Sequence, residues 1–300
     1  MDAAPRRTAR ILALPPTRLP AGRLVELPGR GTTFVTDTPG PDADAPAVVL
    51  LHALACTGLL TWFPAIAPLA TRFRVITLDQ RWHGQGIRPR RLRLQDCADD
   101  VAALLDVLGI ARAVVTGYSM GSVIAQRVWR QHPERVRGLV LAASTDRFRV
   151  TPYEQAFFGA LAAGSLAAGS LAARTIPGRP GSTQRPTPGA PLPDDDLAAW
   201  AWGQFRSTPA GGVVRALTAL GGHHSRPWVE TIDVPTAVVA MTRDRVIPTS
   251  RQLHLAIRIP HAEPYLVAAG HAGCVLEAER FVPVLCRAVG ETADRAAARD

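Results

Sequence analysis

The chain has 300 residues, of which 47% are apolar and 20% charged, and its formal net charge at pH 7 is +9. The apolar fraction excludes a disordered protein, and the lack of a run of about 18 strongly apolar residues argues against a membrane-spanning helix. All 34 basic residues are arginine, mostly scattered, so the charge predicts a solvated surface rather than a nucleic-acid-binding face. Four cysteines without metal-ligand spacing, and an amino terminus too polar for a signal peptide, predict a cytoplasmic protein with free thiols.

The first half of the chain alternates apolar, strand-like runs with helical runs. Residues 1–20 are rich in proline and arginine and predict an extended tail. The predicted strands are residues 23–27, 32–37, 47–52, 74–79, 113–117 and 137–142, and the predicted helices are 59–71, 94–108 and 120–131. Several of these strands are continuously apolar, as strands buried on both faces are. The alternation therefore predicts an α/β fold, with a mostly parallel sheet covered by helices on both faces.

Residues 145–232 interrupt this alternation with a stretch that contains no comparable strand. They hold an alanine-rich helical run, a Pro/Gly/Ser-rich loop at 177–193 and an aromatic helix at 197–205. The alternation then resumes with a strand at 235–241, a helix near 249–258, a strand near 264–267 and a final helix at 273–289, followed by a frayed terminus. We therefore predict a core made of residues 21–144 and 233–300, with 145–232 inserted as a helical cap.

A Gly-x-Ser-x-Gly pattern at residues 117–121 is centred on Ser119. It directly follows a predicted apolar strand and opens a predicted helix, the setting in which this pattern forms a nucleophile elbow. The turn exposes the serine hydroxyl, and the flanking glycines are needed because a Cβ there collides with the neighbouring strand or helix. We predict that Ser119 is a catalytic nucleophile.

A serine nucleophile needs a histidine base, and the base needs an acid to orient it. Asp244 and His271 each follow a predicted strand, and they come after Ser119 in the order acid, then histidine. Both belong to the carboxyl ends of parallel strands, where open α/β sheets place their sites. Asp146, just after the strand at 137–142, is the alternative acid.

Acyl transfer also needs two backbone N–H donors for the tetrahedral intermediate. We predict that Met120, immediately after the nucleophile, supplies one donor. The other comes from the loop after the strand at 47–52, where Leu54 is the candidate. We expect His52 to support this loop by hydrogen bonding rather than to transfer a proton.

Five segments together resemble the α/β-hydrolase superfamily, in its esterase/lipase-like branch with a helical cap. They are LLHALACTG, LDQRWHGQG, GYSMGS, TRDRVIP and GHAG, and they fall within residues 22–144 and 235–290. The resemblance implies the triad Ser119–His271–Asp244, and an oxyanion hole formed by the Leu54 and Met120 amides.

The chain departs from the family pattern near the predicted site. Ala53 stands where the family usually has glycine, Trp82 stands where it has a small residue, and Ser122 follows the elbow where a second glycine is common. The extra Cβ of Ala53 is expected to narrow the oxyanion loop. Trp82 is expected either to wall the substrate pocket or to pack.

Aromatic residues near the site and in the cap are candidates for an apolar substrate pocket. The candidates are Trp82, Tyr118, Phe157, Trp200 and Trp202. The alternative is that the cap aromatics simply pack the cap onto the core. The loop at 177–193 is predicted to be either a mobile lid or an unused surface loop.

These observations predict a serine hydrolase that cleaves the carboxylic ester of a hydrophobic small molecule through an acyl-enzyme on Ser119. No metal or cofactor is required, and no nucleic-acid partner is expected. A perhydrolase or haloperoxidase-like enzyme, a carbon–carbon bond hydrolase and an acyltransferase using the same triad are the alternatives. A third possibility is a non-catalytic ligand-binding protein on the same fold. The sequence leaves the oligomeric state open.

Overall fold

One eight-stranded sheet forms the centre of the protein. The computed structural model describes residues 19–148, Ala160 and residues 194–299. The strands are β1 (Gly22–Leu27), β2 (Gly31–Thr38), β3 (Ala47–Leu51), β4 (Arg74–Leu78), β5 (Ala113–Tyr118), β6 (Val136–Ala142), β7 (Thr236–Met241) and β8 (Glu263–Val267). Their order is β1-β2-β4-β3-β5-β6-β7-β8. β2 is antiparallel to both β1 and β4, and all other pairs are parallel. The prediction of a mostly parallel sheet is confirmed.

The sheet has a topological switch point between β3 and β5. From β3 the chain first moves outward to β4, and then returns to β5 on the other side. The loops after β3 and β5 therefore leave the sheet in opposite directions and open a crevice at its carboxyl edge, where sites form in this type of fold. Both the elbow and the oxyanion loop predicted from the sequence begin at these two strands.

Helices cover the two faces of the sheet as predicted. In the described part of the chain they are α1 (Gly58–Ala70), α2 (Leu94–Val107), α3 (Met120–Gln131), α4 (Asp194–Arg206), α5 (Ala210–Gly221), α6 (Thr249–Arg258), α7 (Gly273–Leu276) and α8 (Ala278–Ala297). Helices α2, α3 and α6 share a core with one face, and α1, α7 and α8 with the other. None of the described helices is both long enough and apolar enough to cross a membrane.

The central strands are apolar at every position because both of their faces are covered. In β3, Val49 packs into the layer of α2 and α3, whereas Val48 packs into the layer of α1 and α8. In β5, Val115 packs into the layer of α2 and α3, and Val114 packs into the layer of α1 and α8. Burying a Val or Leu side chain fully contributes about 1.5–3 kcal/mol, so these short strands hold the sheet rigidly beneath the site.

Two helices of the predicted insertion, α4 and α5, pack on the core. Leu197 of α4 lies in a small apolar cluster with Leu19 and Phe63. Helix α5 contributes Val213 and Leu217 to a second cluster that reaches the loop after β3. The loop at 177–193 and the tail residues 1–18 lie outside the described residues, and the predicted domain boundaries remain predictions.

The carboxyl-terminal segment differs from the prediction of one helix ending near 289. The helix breaks at Glu277, and α8 then continues to Ala297 instead of fraying. Ala293 and Ala296 are buried against the core, which explains the added turns. The four cysteines, all among the described residues, are unpaired.

Candidate active site

Ser119 stands on a sharp turn between β5 and α3. Its backbone has φ 52° and ψ −112°, in a region that residues with a side chain rarely adopt. A Cβ on Gly117 would lie 2.2 Å from the Gly121 carbonyl oxygen, and one on Gly121 would lie 2.0 Å from the Leu51 carbonyl oxygen. The turn therefore closes only with glycine at both flanking positions, as the sequence pattern predicted.

The structure brings Ser119, His271 and Asp244 together in one hydrogen-bonded chain. Ser119 Oγ is 2.9 Å from His271 Nε2, and His271 Nδ1 is 2.7 Å from Asp244 Oδ2. Each distance suits a hydrogen bond, with Nδ1–H donating to the carboxylate and Nε2 accepting from the hydroxyl. The arrangement can accept a proton from Ser119 and hold the resulting imidazolium against a carboxylate.

The Asp244 carboxylate is completely buried, yet both of its oxygens accept hydrogen bonds. Oδ1 accepts from the backbone amides of Val246 (2.8 Å) and Ile247 (2.9 Å). Oδ2 accepts from His271 and, at 3.1 Å, from the Gln252 side-chain amide. These donors fix the carboxylate in one orientation and offset the cost of its burial.

Gln252 of α6 was missed by the sequence analysis. Its amide also donates to the Ile247 carbonyl at 2.7 Å, and its own carbonyl accepts from the Met241 amide at 3.0 Å. It thus joins the end of β7 to the loop that carries Asp244. A polar residue on the apolar face of an amphipathic helix is the sequence feature that could have pointed to Gln252. The sequence does not reveal, however, that this face of the helix packs against Asp244.

Two other residues hold the loop of His271, which lies between β8 and α7. Glu277, at the break between α7 and α8, accepts a hydrogen bond from the Gly270 amide at 2.7 Å. The Tyr118 hydroxyl donates to the His271 carbonyl at 2.9 Å. Burial raises the pKa of Tyr118 well above its usual value, so the hydroxyl remains a donor.

The expectation that Tyr118 contacts the substrate is therefore wrong. Its side chain is fully buried, with its ring against Trp62, Phe281 and His271. As the last residue of β5, it points into the layer of α1 and α8 because side chains alternate along a strand. Tyr118 therefore supports His271 from within the core, through the hydrogen bond to its carbonyl oxygen.

Asp244, and not the alternative acid Asp146, accepts the hydrogen bond from His271 Nδ1. The Asp146 carboxylate faces Arg258 on α6, with 3.9 Å between Oδ2 and Nε. Its backbone carbonyl accepts from the Ser225 amide at 2.8 Å. Asp146 thus belongs to the packing of the segment after β6.

The two candidate oxyanion donors lie at the amino end of α3 and in the loop after β3. Met120 is the first residue of α3, so its N–H has no acceptor inside the helix. Within the described ranges, neither the Met120 nor the Leu54 amide donates to another residue. Free amides at the start of α3 and in the loop after β3 match the chemistry expected of an oxyanion hole.

His52 anchors the loop that carries Leu54. Its Nε2 accepts from the Gln80 amide at 2.8 Å, and Nδ1 is 2.7 Å from the Ala53 carbonyl oxygen, to which it donates. Burial lowers the pKa of His52 well below its ordinary value. The imidazole is therefore neutral and joins the ends of β3 and β4, the structural role expected for it.

The remaining candidate pocket residues differ in position. Trp82 is half-buried, donates through Nε1 to the Pro89 carbonyl at 2.9 Å, and lies under Arg215 of α5. Trp200 packs edge-to-face on Phe63 of α1, as expected if it joins the cap to the core. Trp202 is 59% exposed. Phe157 lies outside the described residues.

The chain belongs to the α/β-hydrolase family. The model of the alpha/beta hydrolase fold matches residues 46–278, which confirms the family and the fold expected from the sequence. The match covers β3 to the start of α8, including the elbow and the loops of Asp244 and His271.

Similar proteins with named activities span most of the chain. The 3-oxoadipate enol-lactonase 1 of Acinetobacter baylyi is 28% identical over 255 residues, covering 85% of this chain and 92% of its own. The poly(3-hydroxyalkanoate) depolymerase of Ectopseudomonas oleovorans is 29% identical over 239 residues, covering 78% and 81%. The crystal structure of the enol-lactonase from Burkholderia xenovorans LB400 superposes with a TM-score of 0.71 at 23% identity, covering 89% of this chain and all of that one.

Proposed function

We propose that the protein is a serine hydrolase that cleaves carboxylic esters of hydrophobic small molecules, open or cyclic, through an acyl-enzyme on Ser119. The observation that carries this proposal is the chain of hydrogen bonds from Ser119 Oγ through His271 to Asp244 at the nucleophile elbow. The names of the similar proteins support it, because an enol-lactonase and a polyester depolymerase both act on ester carbonyls.

In the first half-reaction Ser119 Oγ attacks the ester carbonyl carbon while His271 Nε2 takes the hydroxyl proton. The carbonyl oxygen becomes an oxyanion, which the Met120 and Leu54 amides stabilise. When the intermediate collapses, the bond to the alcohol oxygen breaks and His271 gives its proton to the departing alcohol. Throughout, Asp244 keeps the imidazole in one orientation and stabilises the positive charge that forms on it.

In the second half-reaction water replaces the alcohol. His271 takes a proton from a water molecule, whose oxygen attacks the acyl carbon of the ester formed on Ser119. Collapse of the second intermediate releases the carboxylic acid and returns the proton to Ser119 Oγ. The cycle therefore needs the enzyme, ester and water only.

The proposal is tested by hydrolysis of p-nitrophenyl esters from acetate to decanoate, together with a γ-lactone, by wild type and Ser119→Ala. We expect wild type to turn over at least one ester, and the variant to lose several orders of magnitude in kcat, as loss of a triad nucleophile produces. The preferred chain length measures the acyl pocket. Circular dichroism of both proteins provides the folding control.

Equal inactivity of two folded proteins toward every ester and lactone would overturn the proposal. The same preparations are then assayed for perhydrolysis with peroxide, for carbon–carbon bond cleavage and for ligand binding. Product analysis with added peroxide or alcohol identifies the acyl acceptor if turnover occurs.

A further inference from the structure

The helices α4 and α5 contact two neighbouring loops, one of which carries the candidate oxyanion donor Leu54. The first is residues 53–57, here called the oxyanion loop, which carries Leu54. The second is residues 82–84, here called the β4 loop, which follows the end of β4. Hydrophobic, cation–π and hydrogen-bond contacts all connect this helix pair to the loops.

The hydrophobic contact reaches the candidate donor itself. Val213 and Leu217, one turn apart on the buried face of α5, form a cluster with Leu54 and Ala55. Ala55 has φ 62°, a left-handed conformation that is strained for a residue with a Cβ. Such a backbone persists only where its surroundings hold it, and α5 lies directly against it.

The β4 loop shows the same combination of strain and contact. Trp82 has φ 66°, and its indole lies 4.3 Å from Arg215 Cζ, the closest guanidinium–ring approach among the described residues. A Cβ on Gly212 would lie 2.6 Å from the Trp82 carbonyl oxygen, so the backbones of α5 and this loop are in close contact. Thr208 Oγ1 accepts from the Gly84 amide at 3.4 Å.

A hydrogen bond from α4 holds the far end of the oxyanion loop. Thr57 Oγ1 donates to Gln204 Oε1 at 2.8 Å. Thr57 Oγ1 also accepts a hydrogen bond from the Leu60 amide at 3.1 Å and so caps the start of α1. Gln204 and the start of α1 therefore both anchor Thr57, the last residue of the oxyanion loop.

We propose that the α4–α5 pair positions the second oxyanion donor, with Gln204, Val213 and Arg215 as positioning residues that keep the Leu54 amide aimed at the reacting oxygen. This inference rests on the proposed ester hydrolysis and adds a role for the cap. The cap then acts on transition-state stabilisation as well as on substrate choice.

The experiment compares Val213→Ala, Gln204→Ala and Arg215→Met with wild type and with Thr218→Ala, an exposed control on α5. The kcat and KM are measured on the best p-nitrophenyl ester. The inhibition constant is measured for a trifluoromethyl ketone with the same acyl chain, whose adduct with Ser119 places an oxyanion in the hole.

We expect the three variants to lose about tenfold in kcat and in inhibitor affinity together, with KM little changed. This is part of the loss that removing a whole donor produces. Arg215→Lys keeps a cation over Trp82 and should recover most of the activity that Arg215→Met loses.

Three results would overturn the inference. One is kcat and inhibitor affinity within twofold of wild type in all three folded variants. Another is a rise in KM at unchanged kcat, which would make the helices a binding wall only. The third is an equal loss in Thr218→Ala. Arg215→Met and Gln204→Ala remain informative if Val213→Ala does not fold. Failure of the proposed function looks different, because wild type itself would then show no Ser119-dependent hydrolysis.

Discussion

At the scale of single residues, the arrangement depends on how a buried carboxylate is held. The Asp244 oxygens accept four hydrogen bonds, two from backbone amides, one from Gln252 and one from His271. A carboxylate so fixed presents one oxygen to the imidazole and sets which ring nitrogen carries the proton. The residues that hold Asp244 and His271 therefore influence catalysis without touching the substrate.

Gln252→Leu tests this view of the acid. The substitution keeps the side-chain volume but removes the amide, so Asp244 loses one donor and the Met241 amide loses its acceptor. We expect kcat to fall about tenfold and the free energy of unfolding to fall by about 1–3 kcal/mol, as for a buried polar group left unsatisfied. Ester kinetics and urea titration measure the two effects, with exposed Gln95→Leu as the matched control. Unchanged kcat in the Gln252 variant would show that Asp244 does not depend on this contact.

At the scale of secondary-structure elements, the β5–α3 turn makes the strictest demands on sequence. Gly117 lies against the Gly121 carbonyl, and Gly121 lies against the Leu51 carbonyl, so the turn, α3 and β3 meet within van der Waals contact. No side-chain movement relieves a clash between backbone atoms. The elbow is thus a packing feature as much as a catalytic one.

Gly121→Ala should therefore abolish activity and destabilise the protein by more than about 3 kcal/mol, because the new Cβ forces backbone atoms apart. The matched control is Gly203→Ala in α4, where an added Cβ meets nothing within 4 Å. That control should be neutral or raise stability by about 0.5–1 kcal/mol, since alanine favours helix over glycine. Thermal unfolding of the two variants measures the difference. Equal effects would mean that the elbow is not packed as described.

The elements were predictable from sequence where burial leaves a clear pattern. Continuous apolar runs such as the AVVLL of β3 indicated strands covered on both faces, and their order gave the parallel sheet. The chain order of Ser119, Asp244 and His271 identified three residues that the structure places together. The roles of Gln252, Glu277 and Tyr118 were not predictable, because each depends on contacts between segments far apart in the chain. Their catalytic consequences, like those of the triad itself, remain predictions.

At the scale of the whole molecule, three buried histidines influence stability. Burial lowers the pKa of His83 to about 4 and that of His223 to about 3, and it lowers the pKa of His52 as well. Unfolded histidine titrates near pH 6.5, so between pH 6.5 and pH 4 the unfolded chain binds protons that the folded protein excludes. Stability from these groups is present above pH 6.5 and is lost as the pH falls.

His83→Asn tests this linkage while keeping a donor for the Arg81 carbonyl, to which His83 Nδ1 donates at 2.9 Å. In wild type, His83 should contribute about 2–3 kcal/mol to the loss of stability between pH 7 and pH 4.5, given about 1.4 kcal/mol per pKa unit. The variant should lose correspondingly less over that interval. Urea unfolding at both pH values measures this, with exposed His254→Asn as the control. The same pH dependence in wild type and His83→Asn would show that His83 does not take up a proton on unfolding.

The proposed reaction requires Ser119 to act as a nucleophile, and covalent labelling of this residue is the decisive measurement. The wild-type protein is treated with a fluorophosphonate, digested, and sequenced by mass spectrometry, with Ser119→Ala in parallel. We expect one adduct on the peptide that contains Ser119, loss of esterase activity in proportion to labelling, and no adduct on the variant. An adduct on another residue, or an unlabelled protein that still hydrolyses esters, would contradict it.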